Sequence, residues 1–198
     1  MTQMTSPGRA AVRIRQVRRE ELPLVGRLTL ASYDAYGRIE GPYREQLAVP
    51  DRRLEGSSGL LVAELDHAVV GTVTYVRPGD REWEGRPTPE GDAGFRVLAV
   101  APGTEGRGVG RALVGACIQR AREDGAHRMV ITSMSWMGRA HALYLGLGFV
   151  RRPDLDVRFP GGDGYIFALD LTGEAETRFG PAGPVPASPP WFEDVWSL

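Results

Sequence analysis

Val97-Leu98-Ala99-Val100-Ala101-Pro102-Gly103-Thr104-Glu105-Gly106-Arg107-Gly108-Val109-Gly110-Arg111-Ala112-Leu113 runs from an apolar segment into a glycine-rich turn and then into helical spacing. Phe95–Val100 is apolar on both faces, which predicts a strand at the centre of a sheet. The helix opens at Gly106–Gly110, runs to about Asp124 and is closed by Gly125 as a C-cap. Where a strand turns into a helix, the first N–H groups of the helix lack partners and the helix dipole favours an anion. Gly106, Gly108 and Gly110 let the backbone approach a ligand, while Arg107 and Arg111 add positive charge. The segment therefore predicts a phosphate or pyrophosphate site. It does not continue as G-x-G-x-x-G, and no Gly-Lys-Ser/Thr follows, which disfavours dinucleotide and nucleoside-triphosphate loops. A glycine-rich turn that binds nothing is the other reading.

Working outward, Val12–Val17 alternates as a strand, and Arg19–Tyr36 carries Leu22, Val25, Leu28 and Thr29 at helical spacing, with Pro23 in the first turn. Pro42–Leu54 reads as a second helix. Leu60–Leu65 and Val69–Val76 are β-rich runs around Asp66-His67-Ala68, a hairpin signal. Arg77–Gly91 is a charged loop; Arg128–Thr132 is a buried strand, Gly138–Leu145 a helix, and Phe149–Arg152 and Tyr165–Leu171 are the last strands. The order predicts an α/β (α+β) fold: a mixed, mostly antiparallel central sheet of six to seven strands with helices on both faces. Residues 1–11 are expected to be a disordered N-terminus, 12–172 the folded domain, and 173–198 a proline-rich tail. That tail ends in Trp191, Phe192 and Trp196, aromatics that suit packing either on the body or, in a homodimer, on a second subunit.

The 198 residues carry a net charge of −1, so no basic excess favours nucleic acid. The single cysteine, Cys117, excludes an internal disulfide and a cysteine-based zinc site, and its helical spacing from Leu113 reads as core. No apolar run is long enough to span a membrane and no signal-peptide core is present, so a cytoplasmic location is expected. All 24 basic residues are arginine, which with 26 glycines and 15 prolines suggests a GC-rich, bacterial-type genome. With no lysine, the chain has no side-chain amine of its own to acylate.

Downstream lies Arg139-Ala140-His141-Ala142-Leu143-Tyr144-Leu145-Gly146-Leu147-Gly148-Phe149. Val100, Pro102, Gly106, Gly108, Val109, Gly110 and Leu113, followed in order by Ala140, Leu143, Tyr144, Gly148 and Phe149, resemble the paired motifs of the GNAT superfamily of acyl-CoA N-acyltransferases. The order of elements from Val12 to Leu171 is similar to that family as well. The resemblance implies acetyl-CoA as cosubstrate, no metal, and an amine of a small molecule or peptide as acceptor. It implies pantetheine on the backbone of Leu98, Ala99 and Val100, with Met137 beside it, and pyrophosphate on Gly106, Arg107, Gly108, Val109, Gly110 and Arg111. Glu105 and Met137 depart from the family, which has Arg or Gln and often Asn at those positions.

By the same resemblance Tyr144 is the general acid, a phenol with pKa of about 10 that is protonated at neutral pH. The competing reading is a tyrosine packed beside Leu143 and Phe149. Relatives often carry a glutamate base where Gly94 stands, and Asp92, two residues earlier on the same strand face, is the candidate here. A solvated loop-end residue is its alternative. His141, three residues before Tyr144, could share its helix face, although a lone surface histidine is the ordinary case. Tyr33, Tyr36, Glu40 and Tyr43 lie where relatives shape the acceptor pocket. Transfer of a longer acyl chain, or an acyl-CoA sensor without catalysis, remains open.

Overall fold

The computed structural model describes residues 11–37, 39–83, 91–159 and 162–173. The N-terminal Met1–Ala10 segment, residues 84–90 of the charged loop, and the tail from residue 174 with its three aromatics lie outside the described residues.

Strand β1 (Arg13–Gln16) leads to helix α1 (Leu22–Asp34), whose buried stripe is Leu22, Val25, Leu28, Thr29 and Tyr33. The expected second helix is two: α2 (Gly41–Ala48) and α3 (Asp51–Gly56). Val49 lies in extended backbone and Pro50, which has no N–H, cannot continue α2. β2 (Gly59–Leu65) and β3 (Ala68–Val76) form a hairpin across Asp66 and His67, both in the left-handed region at φ 51° and 65°. There follow β4 (Asp92–Val100), α4 (Val109–Glu123), β5 (Arg128–Met134) and α5 (Gly138–Leu145). The chain then adds β6 (Val150–Arg151), β7 (Val157–Phe159) and β8 (Gly162–Asp170).

The sheet is the mixed, mostly antiparallel one expected; among the described residues it runs β1-β2-β3-β4-β5-β8-β6, with β7 also paired to β8, eight strands in all. The unexpected strand is β7, three residues long and too short for alternation to reveal. Among the described residues only β4 and β5 run parallel; the other pairs are antiparallel. α4 covers one face, with Leu113, Val114 and Cys117 packed among Leu61, Val73, Tyr75 and Phe95. α1 and α2 cover the other, where Leu28, Tyr33 and Leu47 meet Val97 and Ala99.

Two irregularities in β4 make the site. Its pairing with β5 is confined to Asp92↔Arg128 and Ala93↔Met129, and beyond Ala93 the strands part. Its register with β3 slips between Thr72↔Ala99 and Thr74↔Arg96, a β-bulge at which Val97 takes φ 49°. A β-branched residue in that region is strained and is held there only by its surroundings. The extra residue reverses the alternation. Ala93 and Phe95 lie on the α4 face, Val97 and Ala99 on the α1 face, and Leu98 and Val100 return to the α4 side.

Candidate active site

Where β4 and β5 separate, a cleft of about 600 Å³ opens between the ends of α1, α4 and α5. Its floor is Phe95, Val97, Leu98 and Val100 of β4 with Thr132 and Ser133 of β5. The turn from Thr104 to Gly110 forms its mouth, and α5 contributes Arg139, Ala140, Leu143 and Tyr144.

At the mouth, Gly106 and Gly108 have φ 73° and 86°, and a side chain at either would meet nothing within 4 Å. Glycine is required there by backbone conformation, and the space above each is open to a ligand. Gly108 is the N-cap of α4, and among the described residues no side chain caps the helix, so its first amides lie at the cleft mouth without a side-chain acceptor. Gly110 has a different reason: a Cβ there would lie 3.2 Å from Leu143 Cδ2, so it lets α4 and α5 close together. Arg111 lines the mouth and donates to Gly146 O at 3.4 Å. Glu105 lines it too, and its Oε2 accepts from the Gly103 N–H at 2.7 Å, turning a carboxylate onto one of the turn's own donors.

Tyr144 stands in the wall, 6% exposed, with its ring edge-on to Phe95 and Phe167 and tilted against Phe149. Burial pushes its phenol well above the ordinary tyrosine value, so it stays protonated through neutral pH. Among the described residues nothing hydrogen-bonds its hydroxyl, although the residue lines the cleft. The side chain is thus packed among aromatics and lines the cleft at once. Met137 is the N-cap of α5; its sulfur accepts from Ser133 Oγ at 3.6 Å, and it lines the cleft where the family often has asparagine. Tyr33 and Tyr36 close the opposite side from the end of α1, and burial raises the pKa of both.

The structure does not bring every expected residue here. Asp92 sits where β4 and β5 are still paired, its side chain 4% exposed and both oxygens taken by Arg128, at 3.1 and 2.9 Å. It lies outside the cleft, so this placement gives the expected base no access to an amine. Arg107 turns away to Asp66 at 3.0 Å. Ala99 is buried among side chains of α1 and α2 and does not line the cleft. Glu40 is exposed at the start of α2 and lines neither cavity described here. His141 packs on Tyr165 and Phe167, with Nε2 3.1 Å from Met134 O, and burial lowers its pKa. Cys117 is fully buried, and burial pushes its thiol up, so it is unreactive core.

Sequence reasoning missed Ser32, whose Oγ accepts from the Val100 N–H at 3.2 Å across the cleft floor. Its position one helical turn before Tyr36 was the available signal. It also missed a second cavity of about 300 Å³, lined by Tyr43 and Leu47 of α2, Arg52 and Arg53 of α3, and Glu82. This cavity shares Arg96 and Val97 with the first. Among the described residues no cluster of three or more His, Cys, Asp or Glu could hold a metal, and no helix is long and apolar enough to cross a membrane.

A model of the acetyltransferase (GNAT) family matches residues 23–149, more than half of the chain. No curated protein matches the sequence. Among solved structures, a GNAT-family acetyltransferase from Staphylococcus aureus MU50 superposes with TM-score 0.63 at 18% identity, covering 81% of this chain and 99% of that one. Salmonella typhimurium yncA, solved with its cofactor acetyl-CoA, gives 0.58 at 22% identity, covering 85% and 99%. The ribosomal-protein-S18-alanine N-acetyltransferase of Escherichia coli gives 0.58 at 17% identity, covering 86% and 100%. At these identities the likenesses show the fold.

Proposed function

Because the chain belongs to the acetyltransferase (GNAT) family, we propose that it moves an acetyl group from acetyl-CoA to a primary amine of a small molecule or peptide by direct attack. The observation that carries this reading is one cleft that joins a helix N-terminus without a side-chain cap, a parted strand edge and a protonated tyrosine. The residues fit the cosubstrate: the open positive-φ glycines and the uncapped start of α4 suit the pyrophosphate, with Arg111 beside them. The freed edge of β4 at Leu98 and Val100, with Met137 opposite, suits the pantetheine arm. Holding the Val100 N–H at the floor, Ser32 marks a donor that a carbonyl oxygen can take in its place.

In the transfer the amine nitrogen bonds the carbonyl carbon, the carbon–sulfur bond breaks, the thiolate leaves with a proton from Tyr144, and the nitrogen releases its proton to solvent water, from which Tyr144 is reprotonated. Tyr144 holds the proton offered to the departing sulfur, and its buried ring keeps that proton in place until it is needed. Asp92 has no part in this scheme, because Arg128 holds both of its oxygens.

The test is Tyr144→Phe, assayed by thiol release from acetyl-CoA alongside calorimetry of acetyl-CoA binding. Turnover should fall by about 100-fold or more while cosubstrate affinity stays within a factor of about two. Unchanged turnover would remove Tyr144 from the chemistry. Tight binding with no turnover of any amine by the parent protein would favour the acyl-CoA sensor.

A further inference from the structure

Arg53 of α3 points inward. It is 4% exposed; Nη2 donates to Leu47 O at 3.3 Å, while Nε and Nη1 have no hydrogen-bond partner among the described residues. A guanidinium out of water and short of acceptors is costly, and burial draws its pKa below the ordinary arginine value. The obvious counter-ion is already engaged. Glu82, 6% exposed in the same cavity, meets Arg96 Nη1 at 3.0 Å through Oε2 and Arg52 Nε at 3.3 Å through Oε1. Among the described residues, the Arg53 guanidinium therefore faces no carboxylate that is not already engaged. Glu45, the other acid in the lining, is exposed.

Arg96 and Val97 form the common wall between this cavity and the cleft, at the bulge where β4 reverses its faces. A molecule seated in the smaller cavity is thus adjacent to the floor on which the acyl group would lie. Its volume of about 300 Å³ suits a small molecule rather than a folded chain. We propose that the second cavity binds the carboxylate of the acceptor, which is a small amine of the amino-acid type. Its carboxylate pairs with Arg53 and its amine enters the cleft past Arg96 and Val97. This deepens the acetyl-transfer reading and rests on it for the chemistry, but the anion site itself does not.

Two measurements separate the ideas. In the first, melting temperature is compared in sodium acetate and in sodium chloride at matched ionic strength. Acetate should raise the parent's midpoint by a few degrees. Arg53→Met, which keeps an apolar stem, should lose this response and melt no lower than the parent in chloride. Arg53→Lys, charged but shorter, should respond more weakly than the parent and serves if methionine does not fold. In the second, thiol release from acetyl-CoA is compared for amino acids and their carboxamides. The parent should favour the acids by about tenfold or more in kcat/KM, and Arg53→Met should close that gap through KM, with acetyl-CoA affinity unchanged by calorimetry. A parent indifferent to acetate, or one that binds acetyl-CoA and uses acid and amide equally, overturns the inference. Loss of acetyl-CoA binding with the acetate response intact would instead sink acetyl transfer and leave the anion site standing. A phosphonate analogue used as well as the carboxylate would place any small oxyanion on Arg53.

Discussion

Glu21 accepts hydrogen bonds from both terminal nitrogens of Arg15, at 2.7 and 2.8 Å, and from the backbone and guanidinium of Arg18, at 2.8 and 3.0 Å. The Arg15 guanidinium foremost, helped by Arg18, holds its carboxyl down at about 2, against an ordinary value near 4.5. A depressed acid stabilises the fold above its unfolded pKa, and that contribution is lost as pH falls from about 4.5 to about 2. Allowing for solvent screening, it is worth about 1 kcal/mol. Glu21→Gln should therefore lower the unfolding free energy from urea titration by that much at pH 7, and the difference from the parent should be nearly gone near pH 2. A constant difference at both pH values would show that the ion pair is not its source. At this scale, the motif that carries Tyr144 into the cleft wall is local, since its members are close in the chain. The side chain that pairs with Asp92, Arg128, lies 36 residues away and could not be read from the strand alone.

Between elements, α1 and α2 approach closely at Gly26. A Cβ on Gly26 would lie 2.1 Å from the Ala48 carbonyl oxygen, a backbone atom that cannot step aside without moving the end of α2. Gly26→Ala gains about 1 kcal/mol of helix propensity but forces the helices apart, with overpacking losses of about 1–3 kcal/mol or more. Net destabilisation is expected, read as a lower urea midpoint with an unchanged slope. Because α1 also carries Ser32, Tyr33 and Tyr36 to the cleft, turnover should fall with it. An unchanged midpoint would rule out so close a crossing. The α4 end of the site was readable in advance, since glycine conformation and helix capping are decided within one turn. The break between α2 and α3 follows from the same local rule at Pro50, yet the sequence reading carried one helix through it.

Across the whole molecule, acetyl-CoA that joins the β4, α4 and α5 walls of one cleft should stabilise all of them together. At a free concentration 100 times its Kd, a ligand of the folded state adds about 2.7 kcal/mol, or roughly 5–10 °C in melting temperature for a chain of this size. Calorimetric melting with and without acetyl-CoA checks this, and no shift would mean that the cleft does not bind it. By itself the sequence determined the mixed sheet with helices on both faces, the glycine turn at the head of α4 and the segment that presents Tyr144. All of these depend on period, backbone sterics and near neighbours along the chain. Only the tertiary structure decided where β4 parts from β5, on which face Val97 and Ala99 fall after the bulge, and that Arg53 is buried beside Glu82 and Arg96. Each of those depends on strand register or on charges far apart in sequence, and neither is fixed until the chain has folded around them.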